Sequence, residues 1–327
     1  MKGVVYDTYG GPTEMRIREA ADPEPGLGEV RVRVRAGGIN AADWHIYLGD
    51  PWLARFSFGL RTPGERGLGT DVAGIVDAVG PDVTQFSPGD EVYGEIGGGS
   101  VADVVVAEAR KLAIRPRSLS FEEAAAVPMA ALTAYQGLKH AGLKEGDGVL
   151  VIGASGGVGH MAVQFAKALG AGRVVAVCSG RNATWVAGLG ADRVIDYTRE
   201  SVLDADEKFD IVYDTVATTS LRRLRRVMWP KAVYAPAGAL GGGKLLGPLG
   251  PLFRSGATGP FISQRVKVVM AKSSGEDLAD IAEMIDAGLI KPRIEKVYPF
   301  EDFAQACLKL EGNHVGGKLV ITAPSPA

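Results

Sequence analysis

The sequence predicts a mixed α/β protein in two parts, a β-rich part closed as a barrel or sandwich and a doubly wound parallel sheet. Three observations carry this expectation. Residues 1–120 hold short apolar runs punctuated by Gly and Pro. From Gly148 onward, strand-like and helix-like segments alternate. Near the start of that alternation, the glycine-rich turn Gly153-Ala-Ser-Gly156-Gly157-Val-Gly159 follows a strand pattern and opens a helix pattern. A chain of 327 residues suits two domains better than one core.

Met1 to Gly11 reads as a strand and a turn, without the apolar core and cleavage site of a signal peptide. Residues 30–34 alternate Val-Arg-Val-Arg-Val, a half-buried strand. Residues 71–79 form an apolar run stopped by Gly80-Pro81, and the turn at 87–90 leads into a strand at 91–93. Residues 121–140 read as one Ala-rich helix with Ser120 as its N-cap. Strands follow at 149–152, 173–177, 193–195, 210–213 and 232–234, with helices at 159–169 and 183–189. Residues 241–260 are half Gly or Pro. They read as a loop whose leucines cover a cleft or an interface, or as a plain insertion. A strand at 265–271, a helix at 277–287 and a strand at 318–321 close the chain, before a frayed tail.

Composition removes several function classes. The formal net charge is −2, which leaves no electrostatic footprint for nucleic acid or an anionic membrane. Arg222, Arg223, Arg225 and Arg226 are interleaved with Leu221 and Leu224, as on the solvated face of a helix. No stretch is apolar for long enough to span a bilayer. Cys178 and Cys307 form neither a disulfide framework nor a CxxC clip, so a reducing, cytoplasmic setting is expected.

The glycine turn is the sharpest motif. Its glycines permit a tight turn and let the backbone approach a pyrophosphate, while the helix start at Ser155, Gly156, Gly157 and Val158 offers free N–H groups. An NAD site usually carries Asp or Glu at the end of the second strand, to hold the ribose hydroxyls. Here that strand ends Cys178-Ser179-Gly180-Arg181-Asn182, with no acid. Ser179 and Asn182 offer neutral hydrogen bonds, Arg181 a cation suited to a 2′-phosphate, and Tyr197 a further hydroxyl. NADPH is therefore favoured over NADH.

Further motifs accompany the turn: Ala36-Gly-Gly-Ile-Asn-Ala-Ala-Asp-Trp44, Leu68-Gly-Thr-Asp-Val-Ala-Gly-Ile-Val76, Pro88-Gly-Asp-Glu-Val92, Ala131-Leu-Thr-Ala-Tyr135 and Gly190-Ala-Asp192. With them, essentially the whole chain resembles the medium-chain dehydrogenases/reductases, in their zinc-free, quinone oxidoreductase-like branch. The resemblance implies a GroES-like β-barrel catalytic domain over residues 1–124 and 275–327 and a Rossmann NADPH-binding domain over 125–274. It also implies a homodimer. Zinc-dependent members place a Cys near Asn40 and a Gly-His-Glu where this chain has Gly64-Glu65-Arg66 or Leu68-Gly-Thr70, and they often carry a four-Cys loop near residue 100. This chain has no Cys before Cys178, so the ligand count for either zinc site fails.

Without a Lewis acid, two reactions remain easy: hydride transfer to an activated C=C, as in an enone, and reduction of a quinone. Both need donors for a developing oxyanion and a source of one proton. By resemblance, Asn40 faces the nicotinamide and substrate, unless it merely makes an Asx turn. His45 stands where many relatives carry Tyr and is a candidate donor, as is Tyr47 with less support. Asp43 is expected to brace the loop. Thr133 would lie beside the nicotinamide, unless it bonds its own helix backbone. Val216, Ala217, Gly238, Ala239 and Leu240 end later strands, where small residues admit the cofactor. Lys318 either reaches the cofactor or is solvated. Trp44, Trp52, Phe56 and Phe58 line an apolar substrate pocket or form a satellite core. The expected function is an NADPH-dependent reductase of a small-molecule enone or quinone. The alternatives are an enoyl reductase of fatty-acid, polyketide or secondary-metabolite assembly, and a non-enzymatic, crystallin-like NADPH binder.

Overall fold

A computed structural model describes every residue except 51, 53–54, 65, 205–206, 239–262, 313–314 and 326–327. The covering loop expected at 241–260 lies outside the described residues. The chain divides into two units: residues 1–132, 272–288 and 292–327 form the first, and residues 133–271 with 289–291 form the second.

The N-terminal elements are β1 (Lys2–Tyr6), β2 (Arg16–Glu19), β3 (Glu29–Ile39), α1 (Ala41–Leu48), α2 (Arg55–Phe58), β4 (Arg66–Gly67), β5 (Asp71–Val79), β6 (Glu91–Glu95), β7 (Val104–Glu108), β8 (Leu112–Ile114), α3 (Phe121–Ala125) and α4 (Pro128–Ala141). The alternation at 30–34 does what its period requires: Val30, Val32 and Val34 are buried while Arg33 and Arg35 are exposed. The single helix expected over 121–140 is two. Pro128 has no N–H to donate and disfavours helical backbone at Val127, so α3 stops at Ala125 and α4 begins afresh at Pro128. Ser120 caps α3 as expected, its hydroxyl accepting from the Glu123 amide at 3.2 Å.

The second unit carries β9 (Gly148–Ile152), α5 (Gly157–Ala168), β10 (Arg173–Cys178), α6 (Gly180–Ala187), β11 (Arg193–Asp196), β12 (Phe209–Asp214), α7 (Leu221–Leu224), β13 (Met228–Pro236) and β14 (Arg265–Val266). These strands form one sheet in the order β11-β10-β9-β12-β13-β14, every pair parallel. That is the doubly wound order, with its switch point between β9 and β12. The strand expected at 265–271 pairs as a regular ladder only at Arg265–Val266. Beyond it, the amides of Lys267 and Val269 still donate to Tyr234 and Pro236 at 2.9 Å, as at a sheet edge bonded on one side.

The chain closes with α8 (Gly275–Asp286), β15 (Ile294–Tyr298), α9 (Phe303–Glu311) and β16 (Lys318–Thr322). β15 and α9 were not legible as elements. The return segment completes the first unit's main sheet, ordered β15-β16-β3-β5-β6-β8, with β7 also on β3; β2-β1-β4 is a separate sheet. Tyr93 donates to the Leu278 carbonyl at 2.6 Å and ties α8 into this unit. Among the described residues, no helix is long and apolar enough to cross a membrane.

Candidate active site

Three strand ends in the first unit meet by register. Leu319 of β16 lies opposite Ile39 of β3, and Gly38 of β3 lies opposite Asp71 of β5. The residues at these ends, Asn40, Asp71 and Lys318, are therefore forced together. All three are buried. The Lys318 ammonium donates to Asp71 Oδ2 at 2.9 Å and to Asn40 Oδ1. The Asn40 amide donates to Thr70 Oγ1 and Asp71 Oδ2, each at 2.9 Å. The other Asp71 oxygen accepts the Met129 amide in the first turn of α4, at 2.9 Å. Every group in this cluster has a partner, as burial of a lysine and a carboxylate demands. Gly38 makes room: a Cβ there would lie 2.2 Å from the Ala125 carbonyl oxygen.

This arrangement changes two expectations. Lys318 is not a solvated lysine. Nor does Asn40 have a spare donor: a primary amide carries two N–H bonds, and Thr70 and Asp71 take both. Asn40 is also the N-cap of α1, its backbone N–H donating to Asp43 Oδ2 at 2.7 Å. Asp43 braces the loop, as expected, and also accepts from the Thr70 hydroxyl at 3.3 Å. Of the two segments set against a Gly-His-Glu, the one ending at Thr70 reaches Asn40, and Glu65 of the other lies outside the described residues. A zinc ion does not fit here. The donors are an amide and a hydroxyl that bond each other directly, not thiolates or imidazoles, and an ammonium already supplies the cation. Among the described residues, no group of three His, Cys, Asp or Glu side chains is placed to hold a metal.

Burial raises the Asp43 carboxyl to about 7; the Asn40 N–H opposes this and the Asp71 charge adds to it. The folded value lies above the ordinary 3.8 of an unfolded chain. The stability this group contributes is thus full below about pH 4 and is lost as the pH rises through about 7. Asp43→Asn removes that dependence. Urea melts at about pH 5 and pH 8 are expected to show the wild type losing ground to the variant at the higher pH. A gap that stays constant with pH would refute the buried acid.

His45 and Tyr47 do not join the cluster. His45 Nδ1 lies 2.8 Å from the Asp50 carbonyl oxygen and its ring stacks on Trp44; burial pushes its pKa down. Tyr47 is fully buried among the first unit's apolar residues, and its hydroxyl donates to Glu311 at 2.9 Å. Burial holds that phenol above its usual range, so it is no ready acid. The nearby aromatics form no satellite core: Trp52 and Phe56 are exposed, Phe58 lies under the Arg66 guanidinium, and Trp44 packs on the first unit's core.

In the second unit the glycine turn forms at the switch point. Gly153 adopts φ +81°, open to glycine, and its carbonyl accepts the Gly156 amide at 3.0 Å. Gly156 precedes α5, with Ser155, Gly157 and Val158 beside it. At Gly159 a Cβ would lie 2.0 Å from the Gly153 carbonyl oxygen, so only glycine closes this cradle. The residues present fit a dinucleotide pyrophosphate at a helix start. At the end of β10, Asn182 donates to Ser179 Oγ at 3.3 Å, while Arg181 and Tyr197 are exposed. No carboxylate pairs with Arg181 among the described residues. After β12, the amides of Val216 and Ala217 donate to Asp214 Oδ1 at 3.0 and 2.8 Å, which holds Ala217 at φ +52°. Burial raises the Asp214 carboxyl, and Tyr234 donates to it at 3.0 Å. Gly238 approaches the Thr215 carbonyl so closely that a Cβ would lie 2.9 Å from it. Thr133 is buried in α4 with its carbonyl bonded to Tyr213 at 2.7 Å. Ala239 and Leu240 lie outside the described residues.

Sequence reasoning missed Thr70 and Asp71 as site residues. A signal was present: an acid that opens an otherwise apolar strand needs a buried cation.

Two family models match the chain: the alcohol dehydrogenase GroES-like domain over residues 26–117 and the zinc-binding dehydrogenase over residues 189–321. A 2-methylene-furan-3-one reductase from Solanum lycopersicum is 33% identical over 98% of this chain and 79% of its own length. An NADPH-dependent alkenal/one oxidoreductase of Arabidopsis thaliana chloroplasts is 31% identical, with the same coverage. Among solved structures, the Escherichia coli quinone oxidoreductase complexed with NADPH superposes with a TM-score of 0.82, at 28% identity, covering 98% of this chain and 100% of that one.

Proposed function

This chain belongs to the medium-chain dehydrogenase/reductase family, and on that premise we propose that it is an NADPH-dependent reductase, moving hydride to an activated C=C or a quinone without a metal. The observation that carries the reading is the glycine cradle at the switch point of a parallel sheet whose second strand ends without an acid. Relatives named for furanone, alkenal and quinone substrates favour this reading over an assembly-line enoyl reductase or a crystallin-like binder.

Bound NADPH supplies the hydride. Ser155, Gly156, Gly157 and Val158 hold its pyrophosphate; Ser179, Arg181, Asn182 and Tyr197 hold the 2′-phosphate and ribose; Thr133, Val216, Ala217 and Gly238 line its nicotinamide half. Asn40, fixed by four hydrogen bonds, sets the position of Lys318. Two of the three ammonium protons are engaged among the described residues, and the third would serve a substrate oxygen that gains negative charge. A cytoplasmic homodimer acting on a small molecule completes the proposal.

The test is cofactor selectivity. NADPH is expected to bind more tightly than NADH, and Arg181→Ala to weaken NADPH about tenfold or more while leaving NADH alone, as loss of a charge-assisted hydrogen bond requires. Equal affinities of the wild type for the two cofactors would overturn the reading of β10.

A further inference from the structure

We propose that a cavity in the first unit is a carboxylate-recognising subsite, and that the preferred substrates are small enones bearing a carboxylate; the second half of this statement rests on the reductase reading above. The cavity has a volume of about 420 Å³, and its walls include Tyr6, Asp43, Ile46, Arg66 and Ile96. That size lies in the range of small-molecule sites, about 300–1,000 Å³.

Its polar wall is set by register and holds donors left unpaired among the described residues. Tyr6 of β1 lies opposite Arg66 of β4. Arg66 spends Nε on the Pro63 carbonyl at 3.2 Å and rests 4.8 Å above the Phe58 ring. Its two terminal nitrogens have no carboxylate partner among the described residues. The Tyr6 hydroxyl likewise has no hydrogen-bond partner among them, and burial keeps it protonated. Asp43 accepts both of its hydrogen bonds on Oδ2, which leaves Oδ1 unengaged. Burial raises this acid to about 7, so its protonated form, a third donor, prevails only below neutral pH.

A guanidinium fork and a phenol together suit a carboxylate, which accepts two parallel bonds from the fork. Ile46 and Ile96 offer apolar sides for a short carbon chain. Asp43 also accepts from Asn40, which in turn accepts from the Lys318 ammonium, so the cavity wall is bonded to the group proposed to polarise the substrate. Among the described residues, a neutral enone would leave Arg66 without an anion, and a substrate bearing its own cation would be repelled.

The experiment compares kcat/KM for acetylacrylate and for its methyl ester, using the full chain and NADPH. The wild type is expected to prefer the acid by about tenfold, the factor a single charge-assisted hydrogen bond supplies. In Arg66→Met the acid-to-ester ratio is expected to fall to about one, and in Tyr6→Phe to an intermediate value. Urea melts report whether each variant is folded. Binding of levulinate, the saturated analogue, is measured in parallel by calorimetry. A wild-type ratio of one or less, or a ratio unchanged in both variants, overturns the subsite. If neither compound oxidises NADPH, the reductase reading fails. Levulinate binding then decides the subsite alone: binding that is lost in Arg66→Met supports it, and no binding to the wild type overturns it.

Discussion

Lys318→Met is expected to destabilise the protein by about 3–5 kcal/mol, the cost of leaving a carboxylate buried without its cation. Asp71 is fully buried and Lys318 3% exposed, so hydration compensates poorly for the lost ammonium. The same change removes the donor to Asn40 Oδ1. The measurement is urea unfolding of wild type, Lys318→Met and the double variant Lys318→Met/Asp71→Asn. The double variant is expected to recover more than half of the loss, because the uncompensated charge is gone. Reductase activity is expected to fall at least about 100-fold in both variants, since the charge that stabilises the oxyanion is absent from both. A single variant as stable as wild type would contradict the buried pair. Recovered activity in the double variant would contradict a role for Lys318 in the reaction.

Gly159→Ala is expected to weaken NADPH binding about 100-fold or more, equivalent to about 2.7 kcal/mol. The added Cβ falls 2.0 Å from the Gly153 carbonyl oxygen and 2.7 Å from its carbon, and both are backbone atoms that cannot rotate aside. The turn must open, and the N–H groups of α5 then lose their aim at the pyrophosphate. The folding cost is expected to be smaller, about 1–3 kcal/mol for overpacking. A fluorescence titration with NADPH reads the first quantity and a urea melt the second. Tight binding retained in a folded variant would show that this turn does not hold the cofactor.

Much of this structure was legible because its signals are local. The alternation at 30–34, the N-cap at Ser120, the glycine turn and the alternating segments after Gly148 each follow from residues near in sequence. The break at Pro128 was equally local and was passed over in favour of the Ala-rich composition. β15 and α9 were missed for a different reason. β15 is mostly exposed, with Glu295 and Lys296 in its middle, and its pairing partner is contributed by β16, so no period announces it.

The candidate site divides in the same way. Positions around the glycine turn were found because one motif spans them. The Asn40–Asp71–Lys318 cluster joins residues 31 and 278 positions apart, through two antiparallel registers that no window reveals. Resemblance supplied Asn40 and Lys318 but gave them separate roles. Their joining in one hydrogen-bonded cluster, and the loss of the free amide donor at Asn40, follow only from counting the hydrogen bonds in three dimensions. His45 and Tyr47 were chosen for their chemistry, and the same counting takes them out of the cluster.

The central claim is a reductase that draws hydride from NADPH and needs no metal. The direct measurement is the rate of NADPH oxidation with an enone or quinone acceptor, taken before and after exhaustive chelation and again after adding zinc. The account predicts the same rate in all three states. A rate lost on chelation and restored by zinc would contradict it.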